Sequence, residues 1–185
     1  MSLLALLTVV AGSHVWPRLQ RVSIGTWRGL NVQVISVEPR GSFPDWTKVG
    51  AWVQFYRPGQ KETRPFRSYF VQTGYYSTCD RIRLATFGKL PLLALEVNGG
   101  QHEFVEVFRL DPRTLRPSSV SDPIIEGDTS RLAMGIVVER CPDQYIEGKP
   151  TTFRRRQENR AELIRRVWRY DFAADQFVAG KYLFK

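Results

Sequence analysis

Seven arginines fall within sixteen residues near the C-terminal end: Arg154, Arg155, Arg156, Arg160, Arg165, Arg166 and Arg169, with Phe153 and Trp168 close to either limit. Planar guanidinium forks pair with phosphates or carboxylates, and interleaved rings can stack on bases. The segment is therefore the leading candidate for a partner-binding arm. The competing reading is a solvated arm, in which Glu158, Glu162 and Arg166 support one another at i, i+4 spacing. Arginine outnumbers lysine 21 to 6 across the chain, so part of this density is background usage.

Cys79 and Cys141 are the only cysteines, and no CxxC or Cys/His cluster accompanies them, which argues against a zinc site. An even count in an exported chain fits one disulfide, worth about 4 kcal/mol in the chain-entropy account. The alternative is a pair of buried free thiols. Ser77-Thr78-Cys79-Asp80 places the Cys79 thiol beside an acid, but no histidine lies near it in sequence to act as its base. The two histidines are His14 and His102, the latter just past Asn98-Gly99-Gly100-Gln101 at an expected hairpin tip. GxSxG, P-loop, HExxH and GxGxxG patterns do not occur. Asp122, Glu126 and Asp128 offer three carboxylates within one loop, yet match no calcium-loop spacing, and solvated turn acids are the simpler reading. The expectation is a non-enzymatic chain with no catalytic residues, no metal and no cofactor.

The frame that must hold these groups follows from composition. With 185 residues, 43% of them hydrophobic, the chain can bury a real core and is too apolar to be disordered. The longest apolar run, Leu3 to Ala11, is far short of the roughly 20 residues a membrane helix needs. Followed by Ala11-Gly12-Ser13, it resembles the apolar region and cleavage site of a secretory signal without its basic n-region. A buried first strand or a truncated remnant would read the same way. An extracytoplasmic location (periplasmic, secreted or surface-associated) is the expectation, with a cytoplasmic one as the alternative. Net charge is +9, of which residues 154–169 contribute +5, seven arginines less Glu158 and Glu162. That surplus raises nucleic acid, anionic lipid or another acidic polymer as partners.

Short apolar and aromatic stretches alternate with turn signals along the rest. Strands are expected at 28–37, with Leu30, Val32, Val34 and Ser36 on one face, and at 49–56, 68–76, 90–97, 104–110 and 132–140. A terminal hairpin is expected from 167–172 and 177–184. Asn98-Gly99-Gly100 is a hairpin signal between two of these strands. Trp16, Trp27, Trp46, Trp52, Phe43, Phe55 and Tyr56 are expected mostly to fill a core, the alternative being a groove for carbohydrate or peptide. Only Phe153, Gln157, Ala161, Ile164 and Trp168 recur at helical steps, so a short helix or extended basic arm is expected near 153–162 before strand resumes.

Two segments align at an offset of 60: Val107-Phe108-Arg109-Leu110-Asp111 and Val167-Trp168-Arg169-Tyr170-Asp171. Val53 to Gly59 shares their strand-then-turn character. Arg83-Leu84-Ala85 and Arg131-Leu132-Ala133 each lead to an apolar strand that holds a glutamate, Glu96 or Glu139. Glutamates at matching repeat positions suggest one structural role played twice. The strand-end aspartates should accept backbone N–H groups two residues on, Pro112 presetting φ for the first of these turns.

The VFRLDPRTLRP and VWRYDFAADQFV hairpins resemble the ends of kelch-type blades, and RLATFGKLPLLALEV resembles the strand of an FG-GAP or VCBS-type repeat. The resemblance spans about residues 48–185 and implies propeller-like β-repeats. Ala85-Thr86-Phe87-Gly88-Lys89 stands where an acidic calcium loop would be, so calcium is not implied. Three units are also too few for a ring of four to eight blades.

The reading is therefore a mainly β chain. Residues 1–13 form a signal-like segment, and 14–185 form a single β domain of about three repeat units. Its expected form is an antiparallel meander of propeller-like hairpins, with a sandwich or small barrel as alternatives. Its expected role is binding or assembly, with a protein partner or a second copy of itself, as a subunit of an envelope or surface complex. The alternatives are a cytoplasmic nucleic-acid binder using 153–169 and, more weakly, a hydrolase with an unrecognised site.

Overall fold

The computed structural model describes residues 18–38, 50–59, 64–73, 79–98, 103–141 and 164–183. The chain builds three antiparallel sheets in succession, each from neighbouring strands. Sheet I holds β1 (Arg18–Trp27), β2 (Leu30–Glu38), β3 (Gly50–Tyr56) and β4 (Arg67–Gln72) in that order. Sheet II holds β5 (Cys79–Phe87), β6 (Leu90–Asn98), β7 (Glu103–Leu110) and β8 (Pro117–Ser119), with β9 (Ile124–Ile125) also paired to β7. Sheet III holds β10 (Gly127–Asp128), β11 (Ile136–Cys141), β12 (Ile164–Asp171) and β13 (Gln176–Leu183). None of the sheets closes on itself. The mainly β reading holds, and the layering is sandwich-like.

Alternation decides the layering. Leu93, Leu95 and Val97 of β6, with Phe108 and Leu110 of β7, face Val32, Val34, Val53, Phe55 and Val71 of sheet I. The intervening residues Leu92 and Ala94, with Val105 and Val107, face Val137, Trp168, Tyr170 and Phe177 of sheet III, together with Leu132 from the turn that precedes β11. Sheet II is thus the middle layer, apolar on both sides. This explains why residues 90–97 read as a nearly continuous apolar run rather than a period-two pattern. The face predicted for β2 is also observed. Val32 and Val34 are buried in the first core, Leu30 packs on it, and buried Ser36 accepts the Cys79 backbone N–H at 2.7 Å.

The strand ends turn as their chemistry requires. Arg28 (φ 50°) and Gly29 (φ 76°) form the two-residue link between β1 and β2, both in the left-handed region that such hairpins demand. The Asp111 Oδ1 atom accepts N–H groups from Arg113 at 2.9 Å and Thr114 at 2.7 Å. The Asp171 Oδ1 atom does the same for Ala173 at 2.8 Å and Ala174 at 3.4 Å. Both aspartates of the offset-60 pair therefore perform the expected turn-closing task. The Asp111 carboxyl is held below its usual range, first by the Thr114 backbone N–H and then by the Thr114 hydroxyl.

Two expectations need correction. Strand was predicted for 132–140, but Leu132–Met134 is a 3-10 turn, and β11 begins only at Ile136. Gly135 ends the turn at φ 68°, and its N–H is donated to the Leu132 carbonyl at 2.9 Å. A Cβ there would meet the Phe87 ring at 2.7 Å, so the small residue and the turn are selected together. The two Arg-Leu-Ala segments accordingly differ in structure: the first lies within β5, the second enters the 3-10 turn.

The predicted bridge between Cys79 and Cys141 is likewise not formed: Cys79 is a buried free thiol. It belongs to the core between sheets I and II, its Sγ 3.4 Å from the Arg81 carbonyl oxygen, whereas Cys141 ends β11 in sheet III, in register with Ile164. Burial, with the Asp80 and Glu96 charges adding to it, pushes the Cys79 thiol up to about 12. At pH 8 the thiol is held in its protonated, unreactive form. Cys79 in the native chain is therefore expected to resist iodoacetamide at pH 8 under conditions that label it fully in urea, as read by peptide mapping. Equal labelling rates in the two states would contradict this packing.

Candidate functional site

No side chain of the predicted basic arm before Ile164 lies among the described residues, so Arg154, Arg155, Arg156 and Arg160, and the helix expected near 153–162, fall outside them. The remaining three arginines lie on β12, whose alternation divides them. Arg165 and Arg169 are exposed on the side of sheet III that faces away from sheet II, opposite Arg140 and Ile136. Arg166 turns the other way. Its guanidinium lies 4.8 Å from the Trp168 ring, and its Nε donates to the Gly180 carbonyl at 3.1 Å. Trp168, read in sequence as the aromatic edge of the arm, is buried, and its indole N–H donates to Glu139 Oε2 at 2.6 Å. Glu139 is thus structural. Its repeat counterpart Glu96 accepts the Thr129 hydroxyl at 3.2 Å, so both glutamates anchor polar groups at the second layer boundary.

The carboxylates of the 122–128 loop do not gather. Asp128 accepts the Ser130 N–H at 2.8 Å, which lowers its carboxyl below the usual value, and among the described residues no three metal-ligating side chains meet. His14 and His102 lie outside the described residues. At the turn end of sheet III, Arg109 pairs with Asp175 at 2.8 Å, and the Tyr170 hydroxyl donates to the same carboxylate. Burial, first, and that bond push the Tyr170 phenol up to about 12. Phe87 and Phe172 stack at 5.2 Å between centroids, with Tyr170 edge-on to both. This cluster ties sheets II and III together, leaving Phe172 itself exposed.

What the sequence reading did not single out is the exposed apolar surface of the two outer sheets. On the far side of sheet I, Ile35, Trp52 and Phe70 stand in one row across β2, β3 and β4. Trp52 is 41% and Phe70 38% exposed, their rings 5.4 Å apart. Gln33 and Tyr56 on the same side are buried, the Tyr56 hydroxyl donating to Gln54 Oε1 at 2.6 Å, so the large exposed rings of this side are those of Trp52 and Phe70. Gly50 keeps the row tight, because a Cβ there would lie 2.7 Å from the Phe70 ring.

On the far side of sheet III, Ile136, Val138 and Val167 are half-buried, and Val178 is 44% exposed. An open groove of about 870 Å³ runs along this side, lined by Val167, Arg169, Val178, Gly180 and Lys181 among others. Gly180 holds its floor low, since a Cβ there would stand 2.9 Å from the Val167 carbonyl oxygen. Among the described residues, the large exposed apolar side chains are Trp52, Phe70 and Val178 on these two sides, and Met134 and Phe172 at turns. None belongs to sheet II, whose two faces are both covered.

Neither a scan against protein-family models nor searches of curated proteins and of solved structures finds a match to this chain.

Proposed function

We propose that this chain is a non-enzymatic β-domain for binding or assembly, acting through the exposed apolar residues on the outer sides of its first and last sheets. The observation that carries this reading is the Trp52–Phe70 pair: two large rings in contact with each other, each about 40% exposed, on a sheet whose opposite face packs against sheet II. Paired exposed aromatics at the end of a layered stack are the usual anchors of a protein interface. The propeller-like reading of the repeats supports the same conclusion, since a three-layer stack would meet its next layer at these two sides.

The extracytoplasmic location expected from residues 1–13 enters the proposal only through that segment, because the cysteine bridge that would have favoured it is not formed. The nucleic-acid reading draws less support. Of the three arginines that can be placed, one is engaged with Trp168 and Gly180, and the other two face the opposite way.

The test compares the wild-type chain with a Trp52→Ser/Phe70→Ser double variant, purified from its own source under native conditions. The wild type is expected in a species heavier than one chain, and the variant at the mass of one chain, with unchanged far-ultraviolet circular dichroism. Equal masses and the same co-purifying proteins for both would overturn the proposal.

A further inference from the structure

Resting on that assembly reading, we infer that the partner is a second copy of this chain, joined head to tail. The Trp52–Phe70 side of sheet I in one copy seats in the groove of sheet III in the other, and two such joints close a six-sheet ring.

Three observations select this occupant. Inside the chain, each layer boundary joins two sheets that are consecutive in sequence, I on II and II on III. Sheet III has no successor among the described residues and sheet I no predecessor, so III against I of another copy continues the same series. The two sides also differ in shape in the complementary sense. Sheet I presents raised rings, Trp52 and Phe70, while sheet III presents a hollow whose floor is Gly180 and whose walls include Val167 and Val178.

Their chemistry matches as well. The hollow is edged by the cations Arg169 and Lys181, and an aromatic face attracts a cation that approaches it within about 6 Å. Among the described residues this contact recurs, with Arg28 over Trp27 at 5.0 Å, Arg57 and Arg67 over Phe66 at 5.2 Å and 5.9 Å, and Arg166 over Trp168 at 4.8 Å. A joint between unlike sides propagates unless it closes. Six layers lie within the four to eight that radial β-sheet rings hold, and once one joint has formed, the second is intramolecular, which favours two copies over a growing filament.

The test reads mass and complementation in the full chain. By native mass spectrometry and sedimentation, the wild type is expected to be a dimer. Trp52→Ser/Phe70→Ser and, separately, Val178→Glu should each raise the dimer dissociation constant at least about 100-fold, as loss of a central anchor does. Mixing these two variants should give a mixed dimer that neither forms alone, because the intact groove of the first still meets the intact rings of the second. That dimer should be weaker than wild type, having one joint instead of two.

Should Val178→Glu fail to fold, Phe70→Cys and Val178→Cys chains in a Cys141→Ser background replace it. Mild oxidation of their mixture should give the 70–178 cross-link and neither symmetric one. A symmetric cross-link, a dimer that survives both surface variants, or open polymers in place of dimers would each overturn the head-to-tail ring. A monomeric wild type would also overturn it. In that case, co-purification of another protein that depends on Trp52 and Phe70 would leave the assembly reading standing, and its absence would remove both.

Discussion

Truncating Phe55 to alanine is expected to lower the unfolding free energy by about 3–5 kcal/mol, and truncating Leu92 by about 2–5 kcal/mol. Both side chains are fully buried, but in different cores: Phe55 lies between sheets I and II, Leu92 between sheets II and III. The two losses should nevertheless produce the same kind of unfolding curve. Sheet II supplies one wall of each core, and β6 alternates between them residue by residue, Leu92 and Ala94 to one side, Leu93 and Leu95 to the other. Releasing either outer sheet would expose an entire face of β6 and β7 to water, at about 25 cal/mol for each Å² of apolar surface. The Tyr69 hydroxyl, which donates to the Thr114 carbonyl at 2.6 Å, further couples sheet I to the β7–β8 turn. In urea, far-ultraviolet circular dichroism and tryptophan fluorescence should therefore show coincident transitions in both variants, shifted to lower denaturant with an unchanged slope. An Leu92→Ala chain that loses sheet III in a separate early step, while sheet I stays folded, would show that the layers are independent units.

How much of this was legible beforehand differs from element to element, for physical reasons. The middle strand was plain, since a strand buried on both faces is apolar throughout and stands out in any window. The strand-end aspartates were plain too, because Asp111 and Asp171 act locally on N–H groups two and three residues ahead. β5 was not recognised as a strand: Arg81-Ile82-Arg83-Leu84 alternates long basic and apolar residues, and Gly88-Lys89 was read with the following segment. The strands within 117–128 run for two or three residues, too few for any alternation to register.

The candidate site was hidden by a different ambiguity. Alternation in Gly50–Tyr56 shows that Trp52 and Val53 face opposite ways, but not which face has a neighbouring sheet. Only the count and order of layers supplies that. A dense arginine run is conspicuous in a sequence, whereas two aromatics 18 positions apart become a patch only when β3 and β4 pair Trp52 with Phe70. The same limit applied to the cysteines: their number is read directly, while their separation depends on which sheet each joins.

Trp168 tests the division between fold and function most sharply, because the arginine-rich segment invites a binding role for it. Its indole is buried against sheet II, donates to Glu139 at 2.6 Å and carries the Arg166 guanidinium on its face. Trp168→Ala is expected to cost about 3–5 kcal/mol of stability, the upper range for removal of a core aromatic. Trp168→Phe keeps most of the ring volume and withdraws only the N–H. Glu139, 4% exposed, then loses a short charge-assisted bond that water cannot replace, for a cost of about 1–3 kcal/mol. Glu139→Gln preserves an acceptor for the indole and should cost less than either. The ordering is therefore Ala, then Phe, then Gln, read from urea midpoints at neutral pH. A base-stacking role for Trp168 predicts the reverse pattern. Stability would be nearly unchanged in all three, nucleic-acid affinity would fall for Trp168→Ala, and Glu139→Gln would be silent in both measurements. The two accounts cannot both fit one data set, because a ring that fills the boundary between sheets II and III is not available to a ligand while the chain is folded.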